Sequence, residues 1–141
     1  MGKNSWGLSL AALILEGLSA TSCGSGHKQS YLQSMSISPA AADAKDYSGG
    51  EVQFTTTGYY VNPTRTVTPQ AANWVACQNE VPTNMVSVSS AGLAQCGPGA
   101  GGTYSINAWN PNTGPGVYSC PSPNACGGGC TIAATAQLTC P

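Results

Sequence analysis

From Met35 onward, apolar and polar residues alternate in short runs with a period of two, the spacing of a strand with one buried face. Met35 and Ile37 share a face before Pro39 interrupts the pairing. Asp46-Tyr47-Ser48-Gly49-Gly50 predicts a turn. Val52, Phe54 and Thr56 then alternate with Gln53 and Thr55, a half-buried strand. Residues 58–70 contain Gly58, Pro63 and Pro69, which predicts a loop or an irregular edge strand. A short strand centred on Trp74 spans Asn73 to Cys77, followed by a polar turn with Pro82. Val86 and Val88 alternate with Ser87 and Ser89, and Ser90-Ala91-Gly92 turns the chain into Leu93–Cys96. After a glycine-rich loop over 97–102, Tyr104, Ile106 and Ala108 face one way.

The last strand is the clearest. Ile132, Ala134, Ala136 and Leu138 oppose Thr131, Thr135, Gln137 and Thr139, with Ala133 alone out of step. No segment after residue 30 carries a convincing helical period. About seven short strands with turns roughly every 8–12 residues predict an all-β sandwich.

Composition narrows the picture. Charged residues are 6% of the chain, against 18 Gly and 10 Pro, so the chain lacks the charge density of the highly charged kind of disorder. A net charge of −1 and scattered basic residues (Lys3, Lys28, Lys45, Arg65) give no reason to expect nucleic-acid binding.

The N-terminus reads as a targeting segment. Lys3 precedes an apolar run from Trp6 to Leu15, which is too short for the roughly 20 residues of a membrane span and fits a signal core of about 7–15. Small residues Ser19-Ala20-Thr21-Ser22 lead to Cys23, the layout of a bacterial lipoprotein signal. Glu16 is unusual there, and Ala20 stands where a leucine is customary; Ala20-Thr21-Ser22 also fits an ordinary signal-peptidase site. The expected organisation is a signal peptide over 1–22, a polar tether over 23–34 lipidated at Cys23, and one domain over 35–141. Export to a cell envelope places the other cysteines in an oxidising compartment, where Cys77, Cys96, Cys120, Cys126, Cys130 and Cys140 should pair, in any of about 15 connectivities.

Ile37-Ser38-Pro39, Gly49-Gly50 before Val52-Gln53-Phe54-Thr55, Trp74, and the run Val86 to Ala94 carry a resemblance. So do Gly99 to Gly102 leading into Thr103–Ala108, and Ala134 to Thr139. In this order they resemble a bacterial immunoglobulin-like domain of group 2, the intimin/invasin type, over roughly residues 35–140. The resemblance implies a Greek-key β-sandwich used as a stalk or adhesion module, with no shared active site. Two departures stand out: that family is usually poor in cysteine, and residues 110–130 form a long Pro/Gly/Cys-rich excursion where its final hairpin is usually tight.

With that topology, Cys130 and Cys140 flank one extended strand and sit roughly 30 Å apart, far beyond disulfide reach. Cys77 and Cys96 fall near the same pole and are the favoured pair. Cys140 would then take a cysteine from the 110–130 loop, with Cys120–Cys130 or Cys126–Cys130 as further candidates. Zinc ligation by Cys126 and Cys130 is the alternative; structural zinc needs four ligands, and the single histidine, His27, lies in the tether.

Candidate chemistry is sparse. Trp74 and Trp109 could form a sugar-stacking platform, although Trp74 reads first as the core tryptophan. Trp109, Tyr59 and Tyr60 are the candidate ligand-binding aromatics. Asp43, Asp46 and Glu51 read as a solvated turn, since no calcium-loop spacing is present. Gly97–Gly102 is followed by a strand and lacks the lysine of a phosphate loop. Without a histidine in the domain, a nucleophilic triad has no base.

The expectation is a non-enzymatic envelope domain with a structural or adhesive role, without cofactor or metal. It would be held to the membrane by a lipid and would meet an envelope glycan or a surface protein. The alternatives are a secreted carbohydrate-binding module and, more remotely, a small hydrolase built on Asp46 or Glu51.

Overall fold

The computed structural model describes residues 30–110, 126 and 132–141. The strands are β1 (Tyr31–Ser38), β2 (Ala41–Asp43), β3 (Glu51–Gln53), β4 (Thr55–Val61), β5 (Arg65–Val67) and β6 (Asn73–Gln78). They continue with β7 (Val81–Pro82), β8 (Val86–Val88), β9 (Leu93–Cys96), β10 (Gly102–Trp109) and β11 (Ala133–Cys140). The only helical pieces among the described residues are two single turns, Ala44–Asp46 and Ser48–Gly50.

Pairing sorts these strands into two layers. One is a five-stranded sheet in the order β2-β11-β10-β6-β7. The other comprises the ladders β1-β4-β5 and β3-β9-β8, which are continuous because β3 and β4 follow each other across Phe54. After β7 the chain leaves the first layer for β8 and β9, then returns to lay β10 beside β6. Pro39, which lacks an N–H, ends the pairing of β1 with β4; β2 then joins β11 in parallel. This is an immunoglobulin-like Greek-key sandwich.

The alternation in the sequence explains which side chains fill it. Val52, Phe54, Ala94 and Val86 from one layer meet Ala76, Tyr104, Ile106, Ala108, Ala136 and Leu138 from the other. Burying such side chains contributes roughly 25 cal/mol per Å² of apolar surface removed from water. A smaller cluster, Leu32, Met35 and Ile132, extends the core beneath β1.

Opposite the core, the β1-β4-β5 ladder presents hydroxyls. Ser34 and Ser36 lie across from Tyr59 and Thr57, and Thr66 lies across from Tyr59. Two contacts join these rows: Ser36 Oγ with Tyr59 Oη at 3.2 Å, and Thr57 Oγ1 with Thr68 Oγ1 at 2.7 Å.

Three sequence expectations change. Residues 31–34, expected in the tether, belong to β1, with Leu32 buried. The choice of loop or edge strand over 58–70 becomes an edge strand: β5 pairs with β4 at the end of the β1-β4-β5 ladder. Pro63 falls in the connecting turn, and Gly58 is accommodated mid-strand because the Gln70 side chain fills the space beside it.

The third change concerns the disulfides. Cys77 does not bond Cys96; the bonds are Cys77–Cys126 and Cys96–Cys140. Cys77 neighbours the core residue Ala76 on its strand and so points to the opposite face of the sheet. Cys96 packs against the core on the other layer, where it meets the inward-facing Cys140. The favoured pair would have had to reach through the five-stranded sheet. Cys140 bonds to the partner layer and not to the 110–130 segment; that segment's Cys126 goes to Cys77. Cys120 and Cys130 lie outside the described residues, as do Cys23 and the whole signal segment.

Candidate functional site

At the pole away from Cys96–Cys140, a segment between β5 and β6 crosses the edge of the sandwich. Gln70 fastens it. Its backbone N–H donates to Thr56 O at 2.9 Å, and Thr56 Oγ1 donates back to Gln70 O at 2.5 Å. The Gln70 side chain is only 6% exposed, and its Oε1 accepts from the Tyr60 hydroxyl at 2.8 Å. A buried amide without such a partner would cost about 1–3 kcal/mol.

Facing this segment is the turn that leads into β9. Gly92 has φ +82, and a Cβ there would lie 2.4 Å from Phe54 O and 2.8 Å from the Trp74 ring. Only glycine lets the turn come this close, and it is locked in place by Phe54 N–H donating to Gly92 O at 2.9 Å. Gln53 reinforces the contact, its Nε2 donating to Phe54 O at 2.8 Å and Ala91 O at 2.7 Å.

Between the segment and the turn runs a groove with Trp74 at its middle. One hollow of about 480 Å³ lies between Gln53, Gln70, Trp74 and Ala91. A second of about 380 Å³ continues past Trp74 to Asn73, Ser90 and Trp109. Ala72, Trp74 and Ser90 border both hollows, so they adjoin. Each falls within the roughly 300–1,000 Å³ typical of small-ligand sites.

Trp74 packs against the core and is half-buried, as is Trp109 at the end of β10. Trp74 takes the expected core position and also borders the groove. Trp109 is paired in register with Asn73, on the sheet face opposite Trp74, and both tryptophans border the second hollow at the end of β6.

The tyrosines are elsewhere. Tyr59 is 43% exposed on the hydroxyl-lined face. Tyr60 points to the other side, its hydroxyl engaged by Gln70 and its ring covered by the Arg65 guanidinium at 4.5 Å from the ring centre. Neither borders the groove. Gln70, Asn73 and Ser90 were not singled out from the sequence; no periodicity marks them, and the pairing that gathers them is long-range.

The opposite pole holds a hollow of about 560 Å³ near Lys45, Tyr47, Gly97 and Pro141. Volume does not separate it from the groove, but chemistry does. Four of its lining residues are glycines, and its lysine is already engaged, with Lys45 Nζ 2.8 Å from Asp43 Oδ2. That hydrogen bond holds the Asp43 carboxyl below its ordinary pKa and raises that of Lys45. The pair is solvent-exposed, a class worth little to stability. Asp43 also accepts from Lys45 N–H at 3.1 Å, capping the turn; this is the solvated-turn role expected for it.

Among the described residues no three His, Cys, Asp or Glu side chains gather as a metal-binding group, and no helix is long and apolar enough to cross a membrane. On the outer face of the five-stranded sheet, Asn107 is 6% exposed. Its Nδ2 lies 3.2 Å from Cys77 Sγ, and its Oδ1 accepts from Thr135 Oγ1 at 2.6 Å. The bonded cysteines point to an oxidising compartment, periplasmic or extracellular.

A scan against protein-family models gives no match for this chain, and neither does a search of curated proteins.

Proposed function

We propose that this protein is a non-enzymatic immunoglobulin-like module of a bacterial cell envelope, exported, held by a lipid on Cys23, and structural or adhesive in role. The reading keeps the group 2 resemblance as its family. The observation that carries it is the cross-layer bond Cys96–Cys140, which joins the two halves of the sandwich where an oxidising compartment would maintain it. A second bond, Cys77–Cys126, fastens the long β10–β11 connection to the sheet. The signal layout ending at Cys23 supports the anchor.

The intact mass of membrane-extracted protein, before and after reduction and alkylation, tests this. The expected species begins at Cys23, carries acyl chains, and exposes the cysteines of both bonds to alkylation only after reduction. An unlipidated soluble mass would overturn the anchor. Cysteines that alkylate without reduction would overturn the export.

A further inference from the structure

We infer that the Trp74–Trp109 groove is a binding site for a neutral saccharide chain. This goes beyond the envelope-module reading by naming a ligand class, and it does not depend on the lipid anchor.

The lining is free of Asp, Glu, Lys, Arg and His in both hollows. An acidic glycan, a phosphate group or a charged peptide therefore finds no counter-charge there. The side chains divide into two kinds. Trp74 and Trp109 supply flat apolar ring surface; Ser90 and Asn73 supply a hydroxyl and an amide beside it.

A sugar ring has the complementary surface: C–H groups on its faces and hydroxyls around its edge. Indole rings stack on the faces, and uncharged donors and acceptors meet the edge. Asn73 and Ser90 have no side-chain hydrogen bond to the protein among the described residues, so their polar groups are available. Gln53 and Gln70, by contrast, are committed to the walls by the bonds given above.

The frame is also preformed. Gly92, Gln53 and the Thr56–Gln70 pair fix the two walls from separate strands. A site held this way loses little conformational freedom on binding. Two adjoining hollows with an indole at their boundary and a second at one end suit consecutive sugar units rather than one.

The full-length chain is titrated by calorimetry with cellohexaose, laminarihexaose, chitohexaose and mannohexaose, and with oligogalacturonate as the acidic control. Binding to at least one neutral hexasaccharide and none to the acidic one is expected. Trp109→Ala should weaken that binding about tenfold or more, and Trp109→Tyr should restore part of it. Ser90→Tyr, which fills the shared wall from an exposed turn, should abolish it while the thermal midpoint stays unchanged. No binding to any neutral hexasaccharide would overturn the inference, as would preference for oligogalacturonate or affinity indifferent to both Trp109→Ala and Ser90→Tyr. The mass measurement reads separately. A lipidated, disulfide-bonded protein that binds no glycan keeps the module and loses the site; a glycan-binding protein without lipid does the reverse.

Discussion

The side chain of Gln70 fills the space that a Cβ on Gly58 would need. An added Cβ would stand 2.6 Å from Gln70 Oε1 and 2.9 Å from Leu32 Cδ1. A buried amide and a buried leucine would both have to move. Gly58→Ala should therefore destabilise the domain by about 1–3 kcal/mol, despite favouring an extended strand locally. Urea denaturation measures this. The penalty of Gly58→Ala should be smaller in a Gln70→Ala background, where the clash with the amide is gone, although that background itself lacks the Tyr60 hydrogen bond.

Gly92 carries a different constraint. Its φ of +82 disfavours any side chain, and the backbone oxygen of Phe54 stands in the way. Gly92→Ala should cost about 2–4 kcal/mol, since neither a backbone carbonyl nor a packed indole can yield cheaply. Near-ultraviolet circular dichroism should change with it, reporting the displaced Trp74. A variant as stable as the parent would mean that the turn is not seated as described.

The disulfides are expected to act separately. Each closes a long loop, with sequence separations of 49 for Cys77–Cys126 and 44 for Cys96–Cys140. The chain-entropy model gives about 4 kcal/mol for loops of this size. Cys96→Ser with Cys140→Ser should lower the stability of the whole sandwich by that order. Peptide mapping without reduction should recover Cys77 linked to Cys126, and a Cys77–Cys96 peptide would contradict the fold.

Stability should depend little on pH near neutrality. Asp43 is held below its ordinary pKa by Lys45, so its small contribution is present above the unfolded carboxylate value and is lost as pH falls through the folded one. Lys45 is raised, so its share is present below the unfolded lysine value and is lost as pH climbs through the folded one. Lys45 is exposed and Asp43 partly so, and solvent screens the pair. Thermal midpoints should stay within about 5 °C from roughly pH 5 to 9.

The strand pattern was legible where one face was kept purely apolar, as in Ala134, Ala136 and Leu138 against Thr135, Gln137 and Thr139. It left β4–β5 undecided between loop and edge strand. Gly58 and Pro63 are breakers in isolation, and what tolerates Gly58 is a side chain twelve positions away in sequence at Gln70. The cysteine pairing failed for a related reason. A shared pole favoured Cys77 with Cys96, while the alternation of faces sends Cys77 outward and Cys96 inward. That alternation was readable for Cys77 from Trp74 and Ala76, but Cys126 gave no strand phase to match it. For the site, the aromatic residues were visible but not their grouping. Trp109 and Trp74 border one hollow from opposite faces of the sheet because β10 pairs with β6, and Tyr59 is carried to another face by β4. The small residues Ala72, Ser90 and Ala91 leave the groove open beside Trp74, and nothing in their own spacing announces it.

The hydroxyl rows on β1, β4 and β5 have a consequence for how the molecule lives in solution. Most soluble domains hold neighbours off with charge, which dissolved ions screen over about 8–10 Å at physiological strength. Here Ser34, Ser36, Thr57, Tyr59, Thr66 and Thr68 present hydroxyls in place of charge, in a chain with only 6% charged residues. Ions have little to screen on that surface. Dilute buffer and brine should look nearly the same to it.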